Sequence, residues 1–133
     1  MRRLLWRLFP PYEVGVIRRD INTLLSADHG VCVGQVRNEA LRLTKDMDRI
    51  VYSIRIDRVK PDQLALILIH NVLTRNLENG WNHVYRGTLS MIGHDMLRLW
   101  EVTAKEMVKR GYQTEEEYLA DTSELQRAIR EVG

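Results

Sequence analysis

The sequence predicts an all-α protein, a single up-and-down bundle of four to five helices preceded by an N-terminal basic-aromatic arm. Three observations lead there. Apolar residues recur every three or four positions through most of the 133 residues. No segment reads convincingly as a strand, and one Phe with three Pro is poor material for a large β-fold. Helix-stop and helix-start residues punctuate the apolar segments, and the short connections make neighbouring helices antiparallel.

The elements follow in order. Residues 1–11 form the arm, which ends at Pro10-Pro11, and residues 12–133 form one domain. In the arm, Arg2, Arg3 and Arg7 alternate with Leu4, Leu5, Trp6, Leu8 and Phe9. This pattern suits a membrane surface or a groove on a partner, and equally an arm that folds back over its own core. A first helix is expected from Val14 to Ala27 on the stripe Val14, Ile17, Ile21, Leu24 and Leu25, stopped by Asp28-His29-Gly30. Val31-Cys32-Val33-Gly34 is a short apolar link. A long helix is expected from Gln35 to Arg58, with Val36, Ala40, Leu43, Met47, Ile50, Val51 and Ile54 inward.

Lys60-Pro61-Asp62 then resets the chain, with Pro suited to the first turn of the next helix. From Leu64 to Leu77 the apolar residues cover nearly every face, the mark of a central helix. Asn79-Gly80 is a turn signal. A helix is expected from Trp81 to Arg110, closed by Gly111, with Tyr85, Leu89, Ile92, Met96, Leu99, Trp100, Thr103 and Met107 inward. Thr114-Glu115-Glu116-Glu117 is a capping box that opens a last helix carrying Tyr118, Leu125, Ile129 and Val132.

Composition excludes several classes. The hydrophobic fraction of 44% and net charge of +2 do not fit a disordered chain. Cys32 is alone, which removes a disulfide scaffold and paired-cysteine zinc sites. Leu4–Phe9 is too short, and is interrupted by Arg7, to be a signal-peptide core. No apolar run approaches a membrane span, so the expectation is a soluble cytoplasmic protein of bacterial type. Charge is uneven: the first nineteen residues are basic, and the last twenty-one carry six acids against Arg127 and Arg130. That polarity can orient an encounter with a partner or between subunits. Arg49, Arg55 and Arg58 are interleaved with Asp46, Asp48 and Asp57, so no continuous basic stripe points to nucleic acid.

One local motif carries chemistry. His83 is followed by Tyr85, Arg86 and Gly87, then by Ile92 and Gly93. This segment resembles the phosphorylation box of histidine-containing phosphotransfer domains. The resemblance implies that His83 accepts a phosphoryl group, Arg86 offsets its charge and Gly87 admits a receiver-type domain. On a helix, residues three and four ahead are surface neighbours. A wheel at roughly 100° per residue puts His83 roughly 150° from the expected core stripe, with Gly87, Ser90, His94 and Arg98 on the same side.

A second constellation, His70, His94, Asp95 and Asp121, loosely resembles HD-type metal phosphohydrolases and would need its ligands to converge on one ion. A third reading is an adaptor, a homodimer among its forms, docking through Arg2, Arg3, Trp6, Arg7 and Phe9. The sequence reading is a non-catalytic interaction module without a cofactor, with phosphotransfer its sharpest form.

Overall fold

The computed structural model describes residues 5–6, 8–26, 32–80, 84–85 and 88–132. They form six helices: α1 (Tyr12–Leu24), α2 (Val33–Leu43), α3 (Met47–Arg55), α4 (Pro61–Glu78), α5 (Met91–Lys109) and α6 (Glu115–Val132). A two-residue antiparallel ladder precedes α5, with β1 (Val84–Tyr85) paired to β2 (Thr88–Leu89). The all-helical fold is as the sequence predicts. The helix count is higher.

The extra helix comes from a break within 35–58. The chain turns at Thr44-Lys45-Asp46, where the Thr44 hydroxyl donates to the Leu41 carbonyl. The Asp46 carboxylate then accepts the Arg49 N–H at 3.4 Å and caps α3. Periodicity hid the break, because Val36 and Ala40 before it and Ile50 after it all enter one core.

The second correction lies before α5, which starts ten residues later than expected. Ser90 is its N-cap, its hydroxyl accepting the Gly93 N–H at 3.1 Å. Upstream, Val84 pairs with Leu89 and Tyr85 with Thr88, and the β-branched and aromatic residues here suit extended backbone. The buried side of α5 is Gly93, Met96, Leu99, Trp100, Thr103 and Ala104, whereas Ile92, expected inward, is exposed.

Other boundaries follow their signals. Pro61 occupies the first turn of α4. Gly111 takes φ +78, and the N–H groups of Gly111 and Tyr112 donate to Val108 and Met107, which closes α5 in a Schellman turn. The capping box forms in both directions: Thr114 Oγ1 accepts from Glu117 N, and Glu117 Oε1 accepts from Thr114 N, each at 3.1 Å.

Helix α4 packs against α5, α1, α2 and α6 and buries Leu64, Ala65, Leu66, Ile69, Val72, Leu73 and Leu77. The α1 residues Val14, Ile17 and Ile21 are fully buried, and Leu125 and Ile129 bring in α6. Asp62 fastens the start of α4 to the end of α5, accepting from Arg110 Nη1 at 2.9 Å and from the Tyr112 hydroxyl at 2.8 Å. Burial opposes charge on Asp62, but these bonds outweigh it and hold its carboxyl below the ordinary value. Trp100 Nε1–H donates to Thr74 Oγ1 at 2.8 Å, tying the middle of α5 to α4.

Leu73 has no exposed surface, so Leu73→Ala leaves a cavity at the centre of this arrangement. The expected loss is about 2–5 kcal/mol of unfolding free energy, read by urea denaturation. A loss under about 1 kcal/mol would place Leu73 outside the core.

Candidate functional site

The phosphotransfer motif meets the structure at its edges. His83, Arg86 and Gly87 lie outside the described residues. The backbone between and after them pairs as β1 and β2, and the helix expected to carry them begins at Met91. The resemblance implies a helix through these positions, and the backbone of Val84–Tyr85 and Thr88–Leu89 is extended. Of the residues placed on the same face, Ser90 caps α5, while His94 and Arg98 are exposed on its first turns.

The four residues of the metal constellation have separate roles. Asp95 accepts the backbone N–H of Cys32 at 3.2 Å and Arg98 Nη2 at 2.6 Å, joining α5 to the start of α2. Burial opposes its ionisation, but the bonds from Arg98 and Cys32 prevail and lower its pKa. The neighbouring Cys32 thiol is pushed up to about 12, by burial first and by Asp95 second, so it is inert as a nucleophile. Asp121 accepts Gln113 Nε2 at 2.7 Å. His70 lies against Trp100 with ring centroids 4.7 Å apart, and Trp100 stacks in turn on Tyr118. Among the described residues, no three His, Cys, Asp or Glu side chains are grouped to hold a metal ion.

His70 is a core histidine with a titration consequence. Its Nδ1 is buried without a hydrogen-bond partner among the described residues. Burial lowers its pKa to about 4, against a smaller raising effect of Asp121.

The arm presents a different kind of surface. Leu5, Trp6 and Leu8 have helical backbone, and the Phe9 N–H donates to the Leu5 carbonyl at 2.7 Å. The helical turn ends at Phe9, and Pro10-Pro11 lead in non-helical backbone to Tyr12, the first residue of α1. Four side chains here are mostly exposed: Leu5 59%, Leu8 71%, Phe9 75% and Tyr12 81%. Trp6 is half-buried, while Arg2, Arg3 and Arg7 lie outside the described residues.

One ion pair anchors the arm's end. Glu13, in the first turn of α1, is buried and takes Arg55 of α3 in a two-pronged contact, Nε to Oε2 and Nη2 to Oε1. The Arg55 bonds hold the Glu13 carboxyl below its ordinary value. Tyr52 and Ile56, on either side of Arg55 in sequence, are exposed. The pair therefore ties the first turn of α1, which follows the arm, to α3. The sequence reading placed Phe9 and Trp6 in a docking arm but missed the Glu13–Arg55 link, which only folding makes.

A cleft of about 600 Å³ also opens between α3 and α4, with Leu43, Ile50, Leu64 and Leu68 in its wall and Arg49 and Arg75 among its polar residues. None of the sequence-predicted site residues lines it.

His70 sets a pH dependence. Its folded pKa is below the unfolded value, so the unfolded chain takes the proton first and stability falls as pH drops from about 6.5 towards 4. Between pH 7 and 4.5 the wild type is expected to lose on the order of 2 to 3 kcal/mol relative to His70→Phe, measured by denaturant unfolding at each pH. A difference that stays flat would show a solvated His70.

No protein-family model matches the chain, and neither the curated proteins nor the solved structures contain a significant match.

Proposed function

We propose that this chain is a non-catalytic interaction module that engages a protein partner through its N-terminal arm. The observation that carries this reading is the exposure of four large apolar side chains, Leu5, Leu8, Phe9 and Tyr12, within eight residues at the N-terminal end. Exposed apolar side chains that cluster, in contrast to scattered ones, mark contact surfaces. Large aromatic and branched residues are the side chains that anchor such contacts.

Charge supports the same reading. Arg2, Arg3 and Arg7 flank the apolar residues, so the arm suits a partner groove with an acidic rim. Among the described residues no helix is long and apolar enough to cross a membrane.

The bundle's core is assembled from α1 to α6, without Leu5, Leu8 or Phe9. Deleting residues 1–9 is therefore expected to leave helical circular dichroism and cooperative melting within a few degrees of wild type. A photo-crosslinking residue at Phe9, introduced in the native cell, is expected to give a discrete adduct that one at Glu131 does not. Unfolding on deletion, or no adduct at Phe9, would contradict the proposal.

A further inference from the structure

We propose that the groove between α1 and α2 is a binding site for a ligand carrying two or more phosphoryl groups. Its wall carries the cationic groups of Arg18, Arg42 and Lys45 beside the amides of Asn22, Gln35 and Asn38, with apolar surface from Leu41 and the aliphatic stems between them. Its volume is about 1000 Å³, ample for a diphosphate with an organic group attached. Arg18 comes from α1, Arg42 from α2, and Lys45 from the turn that follows α2.

Three features point to an anion with several oxygens. Arg18 is held from behind: its Nε–H donates at 2.9 Å to the hydroxyl of Thr44, which is fully buried and itself bonded to the Leu41 carbonyl. That contact fixes the guanidinium while leaving its terminal N–H groups available for a forked contact, the arrangement that suits phosphate and carboxylate oxygens. Next, Arg18, Arg42 and Lys45 form no ion pair among the described residues. Glu39, the one carboxylate in the wall, is already engaged by Gln35 Nε2 at 3.4 Å and Asn76 Nδ2 at 3.1 Å. Its charge still leaves a net of two positive charges on the wall. Last, Asn22 and Asn38 line the same groove and add neutral amide donors beside the cations.

The cations and amides favour a ligand rich in acceptors, and the apolar surface between them leaves room for an organic group. A single carboxylate uses one fork; three cations with amides around them match the larger charge and oxygen count of a diphosphate.

The test is calorimetric titration of the full chain with pyrophosphate, at low and at physiological ionic strength. Expected is saturable one-to-one binding, tighter than for orthophosphate or citrate, and weakened but not abolished by salt. Arg42→Gln is expected to weaken binding about tenfold or more, while Arg127→Gln on α6 leaves it unchanged. Thr44→Val keeps every charge and removes the hydroxyl behind Arg18; about tenfold weakening is expected there too. Should Thr44→Val fail to fold, Arg18→Lys replaces it, since it keeps the charge and loses the fork. A parallel titration with ADP separates sources: equal affinity assigns the free diphosphate, tighter binding an organic diphosphate, and both support the site. No saturable binding, tighter binding of citrate, or equal loss in Arg127→Gln would overturn the proposal.

Discussion

Helix α4 must be covered over more than half of its circumference, and the rest of the structure answers that requirement. Seven of its side chains are buried over an arc of roughly 220° of the helix, with Asn71 and Glu78 exposed on the rest. Each buried aliphatic side chain gains about 1.5–3 kcal/mol over exposure, so an uncovered face would be a large loss. Helices α1, α2, α5 and α6 each bring a stripe to it. Position is then fixed by polar ties at intervals along α4: Asp62 to Arg110 and Tyr112 at its start, and Thr74 to Trp100 further along.

That constraint consumes residues which look chemical in isolation. Asp95 joins α5 to Cys32, His70 fills space against Trp100, and Ser90 starts a helix. Each has the residue type that catalysis uses, and each is engaged in holding elements together. What the core does not consume lies outside it: the exposed apolar side chains Leu5, Leu8, Phe9 and Tyr12, and the cationic groups of the groove between α1 and α2. These two surfaces differ in chemistry, one branched and aromatic, the other charged and amide-lined. A module can use both at once because they draw on different faces of α1.

How much of this was legible in the sequence depended on whether a signal was local. The capping box at Thr114, the stop at Gly111 and the start at Pro61 are local, and each forms as its residues dictate. The all-round apolar pattern of 64–77 identified the central helix without tertiary information. The break at Thr44–Asp46 was invisible because the apolar stripe continues in phase through it, leaving only the Asp46 cap as a sign. The late start of α5 was hidden because Tyr85 and Leu89 also fit the helical stripe that continues through Met96, and Ser90 was read only as a face residue and not as the cap it is. The wheel built on that longer helix put Ile92 inward, and it is exposed. Long-range partners were beyond reach. Nothing in the spacing links Glu13 to Arg55, forty-two positions apart, or Arg18 to Thr44.

The central claim is that α4 is the innermost element while the arm stands outside the cooperative core. Hydrogen exchange followed amide by amide tests both halves at once. The account predicts the slowest exchange within Leu64–Leu77, at rates set by global unfolding, and fast exchange at residues 5–9. An arm as protected as α4, or an α4 that exchanges ahead of α1 and α5, would contradict it.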